Sequence, residues 1–185
     1  MIIGIDPASE GAVVAMVHKD IVFVASWKKR TRQKKQVYEL TVSLLCNTVM
    51  LMCNNKIQLC KKISLHLLQI AEGHEVTIAC EDAYVGKSAK TSIIVARFAG
   101  MMTGAIASTL DCEDVHWYKA IEWRKSVFGL SPYTKRSKSK EASIKYIPIL
   151  LPTIKTHLSI HGELDYITDA CGVALTCYNR KKIAG

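Results

Sequence analysis

Acidic residues are in short supply in this chain. Its 185 residues hold 16 Asp and Glu against 25 Lys and Arg, for a formal net charge of +9. No acidic run balances the basic ones, so an acidic solvating tail is excluded and a polyanionic partner is favoured. Only 4 prolines and 10 glycines are present, and no low-complexity segment occurs, which argues against a linker-rich architecture. The most apolar window is short as well. The window Val42 to Met52 is broken by Asn47 and Thr48 and falls short of the roughly 20 residues that span a bilayer. The seven cysteines include no C-x-x-C pair, and an odd number makes a poor disulfide framework. The N-terminus opens directly on a strand pattern, with no signal-type segment ahead of it. The expectation is a soluble intracellular protein in a reducing compartment, with most cysteines acting as small buried apolar residues.

What is present is a chain that is 49% hydrophobic, enough for one globular domain over residues 1–185. The basic residues are bunched. Lys28-Lys29-Arg30-Thr31-Arg32-Gln33-Lys34-Lys35 forms one run, Lys135-Arg136-Ser137-Lys138-Ser139-Lys140 a second, and Arg180-Lys181-Lys182 a third near the end. Any one of them reads as a solvated loop; together they favour nucleic acid.

Period-2 alternation marks short strands at Ile3–Ile5, Ala12–Ala15 and Ile21–Ser26, then Val76–Cys80 and Val115–Tyr118, which makes five. From Gln36 to Ile70 the recurrence of Val42, Leu45, Val49 and Met52 reads as helical, with Asn54-Asn55 dividing two helices. Cys46, Cys53 and Cys60, seven apart, would then lie near one helical face. Thr91–Leu110 is a long apolar helix with Gly100 and Gly104, Ala120–Val127 a short one ended by Gly129. Another helix starts near Lys140 and should stop or kink before Pro148; the last spans Leu164 to Tyr178. The order predicts an α/β fold with a mixed sheet flanked by helices. The 28–36 and 132–139 stretches read as loops.

Four carboxylates stand out. Asp6 ends the first strand and Glu81 the fourth; Asp165 and Asp169 share one helical face at i, i+4. Asp6 alone can cap its turn through backbone N–H groups. Glu81 alone can end a strand at the surface, and Asp165 can sit in a first helical turn. Brought to one sheet edge, the four would repel one another, and hard divalent cations relieve such repulsion through carboxylate oxygens. Two such ions can activate water and stabilise a leaving oxygen at a phosphodiester.

Gly4-Ile5-Asp6-Pro7 with Gly11-Ala12-Val13-Val14, then Cys80-Glu81-Asp82-Ala83-Tyr84-Val85-Gly86, then Asp165-Tyr166-Ile167-Thr168-Asp169-Ala170 resembles the RuvC-type Holliday junction resolvases of the RNase H-like superfamily. The resemblance runs along nearly the whole chain in the same order. A similar opening occurs in actin-like ATPases, but the further phosphate-binding glycine motifs of those proteins do not follow here. The resemblance implies an RNase H-like five-stranded mixed sheet and a Mg²⁺-dependent endonuclease, with Mn²⁺ substituting. Asp6, Glu81, Asp165 and Asp169 would be the metal-binding carboxylates. Tyr84 stands where the family places an aromatic against the junction, and base stacking suits it. Lys125 and Lys140 resemble the family's lysines near the scissile phosphate, where a cation can offset developing charge. Lys28, Lys29, Arg30, Lys87, Arg124, Lys135, Arg136 and Lys138 complete the expected DNA-binding set. A homodimer built on the long helix would cut opposite strands of a four-way junction, with no membrane involved.

Three departures mark a divergent member, of viral or mobile-element type, working in the cytoplasm of a bacterium or an infected host cell. Ala8 replaces the glycine usual after Asp-Pro. The final acids are spaced Asp-x-x-x-Asp, which places Tyr166, one residue from Asp165, at the other ligand position. The 36–70 stretch is long and reads as a helical insertion. A nuclease for other branched DNA or for RNA–DNA hybrids, or a catalytically silent junction-binding protein, are the alternative readings.

Overall fold

The structure is a computed structural model that describes residues 1–44, 47–82, 88–162 and 165–184. Its strands are β1 (Ile2–Asp6), β2 (Gly11–Val17), β3 (Asp20–Arg32), β4 (Lys35–Leu44), β5 (Asn47–Cys53), β6 (Thr77–Glu81) and β7 (Val115–Tyr118). The helices are α1 (Lys56–Ala71), α2 (Ala89–Leu110), α3 (Ala120–Phe128), α4 (Arg136–Leu150), α5 (Ile154–His161) and α6 (Asp165–Ala184). The strands form one mixed sheet in the order β5-β4-β3-β2-β1-β6-β7. β1 to β5 pair antiparallel in sequence, whereas β6 joins β1, and β7 joins β6, in parallel.

Alternation along the strands feeds two cores. Ile3, Ile5, Val13, Ala15, Phe23, Ala25 and Trp27 point to the face covered by α1 and α2. Ile2, Ala12, Val14, Met16 and Val24 point to the other, where they meet Trp123, Ile147 and the apolar side of α6. A sheet buried on both faces needs apolar residues at successive positions, and β1 and β2 supply them. Gly4 lets α6 lie directly on β1: a Cβ there would come within 2.2 Å of the Ala170 carbonyl oxygen. Because Asp6 is two residues beyond Gly4, and Asp169 one before Ala170, this close approach sets the two carboxylates side by side.

The sheet has seven strands, not five. Residues 36–44 and 47–53, expected to be helical, form most of β4 and all of β5, and only the part after Asn55 is a helix. Asn55 caps it, its side chain accepting from the Gln58 N–H, as the division at Asn54-Asn55 implied. Leu40 and Val42 carry the strand alternation, facing the core with Tyr38, but Val49 and Met52 on β5 fit a helical spacing equally well. Cys53 and Cys60 therefore sit on a strand and a helix and meet in one core; Cys46 lies outside the described residues. The described cysteines are all free, and Cys112 alone among them is not fully buried.

The basic run from Lys28 is not a loop. It continues β3, turns at Gln33-Lys34 and returns as β4. α4 begins at Arg136 rather than near Lys140 and runs through Pro148, with the Leu151 N–H bonded to the Ile147 carbonyl. α5 was not anticipated. It is fixed to β3 and β4 by a buried polar chain. The Ser26 and Ser43 hydroxyls contact the two ring nitrogens of His161 at 2.7 and 2.8 Å, and Ser43 also contacts His157 Nδ1 at 2.6 Å. The long apolar helix is confirmed as α2, and it is the one among the described residues long and apolar enough to cross a membrane by length and composition. Its Phe98, Ala99, Met102, Thr103 and Ile106 are buried.

Candidate active site

β1 and β6 are parallel neighbours, so their C-terminal ends deliver Asp6 and Glu81 to the same sheet edge. The first turns of α6 bring Asp165 and Asp169 over that edge. All four line a cleft of about 750 Å³, together with Lys29, Arg124, Arg136, Lys140, Tyr166 and the start of α2. The four acids thus share one cleft with Lys29 from β3 and with Arg124, Arg136 and Lys140 from α3 and α4.

Asp6 bonds to its own turn, as a capping residue would, and it also lies among other carboxylates. Its carboxylate accepts from the Ala8 backbone N–H, which lowers its pKa, but burial raises it far more. Repulsion from Glu81, Asp169 and Asp165 adds to the upward shift. Glu81 is likewise pushed up, first by burial and then by Asp169, while the Trp123 indole and Arg124 pull it down. The indole N–H of Trp123 donates to Glu81 Oε2 at 2.7 Å. Trp123 is held in place by Gly172, where a Cβ would come within 2.4 Å of the ring. Burial raises Asp169 as well, and Arg124 and the nearby Ser143 hydroxyl hold it down. Upward shifts produced by burial and by like charges brought together mark a candidate functional site.

Two of the acids are already partnered. Arg124 Nη2 donates to Asp169 Oδ2 at 2.9 Å, with both side chains largely buried. Lys140 donates to Asp165 Oδ2. Among the described residues no group of three His, Cys, Asp or Glu side chains stands close enough to hold a metal ion as placed. The donor set still suits a hard divalent cation. It consists of carboxylates alone, and the buried Asp169 Oδ1 makes no hydrogen bond of normal geometry. Tyr166 also lines the cleft, and its hydroxyl is buried and unpaired.

No protein-family model and no curated protein matches the chain. Among solved structures, the Thermus thermophilus RuvC structure superposes with a TM-score of 0.54 at 14% identity, covering 99% of this chain and 96% of that one. The T. thermophilus RuvC in complex with a Holliday junction substrate gives 0.53 at 14%, covering 99% and 95%. The chain has the RuvC fold.

Within that RNase H-like fold, the residues singled out in the sequence divide into three groups. Asp6, Glu81, Asp165, Asp169, Lys140, Lys29, Arg124 and Arg136 meet in the cleft. Lys28, Arg30, Lys125, Lys135 and Lys138 do not line it: Lys28 and Arg30 lie on β3, Lys125 and Lys138 are exposed on α3 and α4, and Lys135 precedes α4. Tyr84 and Lys87 lie outside the described residues. On α3 the inward cation is Arg124, not its neighbour Lys125, because successive helical residues point about 100° apart. Trp123 as the hydrogen-bond donor to Glu81 was missed, although a Trp beside an Arg on a short helix was the available signal.

Proposed function

We propose that the protein is a metal-dependent, structure-selective DNA endonuclease that resolves four-way junctions by paired phosphodiester hydrolysis. The observation that carries this reading is the convergence of Asp6, Glu81, Asp165 and Asp169 in one cleft with cationic side chains. The likeness to RuvC supports it, one of those structures being bound to a Holliday junction. Asp6, Glu81 and Asp169 would hold Mg²⁺, or Mn²⁺ in its place, with Asp165 completing the set. When bound, the metal would supply a polarised water and charge stabilisation at the leaving oxygen. Arg124, Arg136 and Lys140 would then face a phosphate; a charge-assisted hydrogen bond from any of them orients it and offsets its negative charge. A homodimer would place two equivalent sites on a nearly two-fold substrate. The cytoplasm of a bacterium or of an infected cell is the expected setting, and no membrane partner belongs to this reading.

A catalytically silent junction-binding protein is the second reading, favoured by the ion pairs that occupy Asp165 and Asp169. The discriminating experiment incubates the protein with a labelled four-way junction and Mg²⁺, beside linear duplex, RNA–DNA hybrid and the Asp6→Asn variant. Symmetric paired nicks lost in the variant establish the endonuclease. Tight binding without cleavage in either Mg²⁺ or Mn²⁺ leaves the silent binder, and cleavage of the hybrid alone redirects the activity to RNA–DNA.

A further inference from the structure

β3 and β4 outrun the rest of the sheet. The last residue of β3 that pairs with β2 is Trp27, opposite Gly11. Lys28 and Lys29 are still backed by a third strand, because their β4 partners Glu39 and Tyr38 pair with Met52 and Cys53 of β5; from Arg30 opposite Val37 to Arg32 opposite Lys35, β3 and β4 pair only with each other. At about 3.3 Å per residue, β3 runs about 16 Å past Trp27, and its last three residues, about 10 Å, belong to the two-stranded overhang. β2 leaves that edge at Gly11, so the ribbon emerges from the same end of the sheet as the carboxylates. Lys29, near its base, lines the carboxylate cleft.

The overhang bears Arg30, Arg32, Lys34 and Lys35, with Lys28 and Lys29 at its base, and residues 29–36 are all exposed. The one acid at this base, Glu39, is taken up by Arg30 at 2.9 Å. Arg32 and Lys35 face each other across the strands, an arrangement of like charges that destabilises a hairpin on its own. The turn compounds this. Gln33 and Lys34 have φ of 49° and 61°, the left-handed pair of a two-residue hairpin for which Asn-Gly is the favoured choice. Charge is retained at the tip where glycine would relax the backbone. A polyanion laid along the ribbon would relieve both the repulsion and the absence of acidic partners. The major groove of duplex DNA admits a two-stranded β-ribbon, and phosphates line both of its rims.

We infer that the β3–β4 overhang is a duplex-DNA-binding ribbon, engaging phosphates of a DNA arm that leaves the carboxylate cleft along Lys29. The inference rests on the proposed action on branched DNA and names where one arm is held. It is a contact region separate from the metal-binding side chains, so the ribbon can be altered without touching them.

The test compares the full chain with the triple variant Arg32→Ala/Lys34→Ala/Lys35→Ala, measuring affinity for a linear duplex and for a four-way junction across a salt series in EDTA. If all three cations contact phosphate, the slope of log K against log salt becomes shallower by roughly 2.7, at roughly 0.9 per contact. A second variant, Lys34→Gly, separates binding from folding. It should raise the thermal midpoint, because glycine accepts the left-handed turn, and weaken binding at the same time. Slopes for the triple variant within one unit of wild type on both DNAs overturn the ribbon, as does a Lys34→Gly protein that gains stability with unchanged affinity. A wild-type protein that never cuts a junction, yet shows the slope change on duplex, contradicts the endonuclease reading and leaves the ribbon standing.

Discussion

Replacing Arg124 with methionine removes a charge while keeping most of the side chain's apolar stem, and so isolates what the guanidinium does for the acids of the cleft. Arg124 and Asp169 have side chains only 17% and 8% exposed and meet at 2.9 Å. Removing one partner of such a buried pair costs about 3–5 kcal/mol, since the other charge is left uncompensated. Protonation limits that cost. Neutralising an ordinary carboxyl of pKa near 4 at pH 7 takes about 4 kcal/mol, at about 1.4 kcal/mol per pH unit, and burial has already raised Asp169. The expected loss in EDTA at pH 7 is therefore about 3 kcal/mol, shrinking as the pH falls toward 5. Urea unfolding followed by circular dichroism measures it. Millimolar Mg²⁺ should restore most of the loss, because a metal held by Asp6, Glu81 and Asp169 supplies the missing positive charge. A loss under about 1 kcal/mol in EDTA would refute the claim that Arg124 neutralises these acids. A full loss that Mg²⁺ does not reduce would refute the claim that a metal takes its place.

Three further perturbations test other parts of the structure. Trp123→Phe keeps a ring against Gly172 but deletes the 2.7 Å bond to Glu81; a loss of about 2 kcal/mol is expected from a hydrogen bond to a charged group, measured by the same unfolding assay. Gly4→Ala drives a Cβ against the Ala170 carbonyl, a backbone atom that no rotamer change can clear, so a loss of about 3 kcal/mol or an unfolded protein is expected. The buried histidines predict acid sensitivity. Burial lowers His157, and lowers His161 from 6.5 to about 4, so below pH 6.5 the unfolded chain binds protons that the native state does not. Their contribution to stability is complete above pH 6.5 and is lost as the pH falls toward 4. His161→Gln should flatten that decline in a pH series of thermal midpoints.

The site was more legible in the sequence than the sheet around it. Asp6 and Glu81 could be placed because each closes a short apolar strand, where a charge is conspicuous against its neighbours. Asp165 and Asp169 were visible through helical spacing ahead of a small-residue segment. The strands β4 and β5 were not legible: β5 is an edge strand with Val49, Met50 and Met52 exposed, so its pattern has no clean inside and outside. The ribbon at Lys28–Lys35 was hidden for a related reason. Beyond the core both of its faces meet solvent, apolar alternation disappears, and a paired hairpin reads as a loop. α5 escaped because two of the residues that bury it are histidines satisfied by serines far away in sequence. Arg124 was singled out only as a DNA contact, since nothing in Trp123-Arg124-Lys125 says which cation turns toward Asp169 until the position of Trp123 against Gly172 is known.

The measurement that bears most directly on the central claim maps, at nucleotide resolution, the products formed from a four-way junction in Mg²⁺ by the wild-type protein and by Asp6→Asn and Asp169→Asn. The account expects nicks at symmetric positions on opposite strands, no cutting in EDTA, and none by either variant. Cutting that persists in EDTA, or in both variants, would contradict a metal held by these carboxylates.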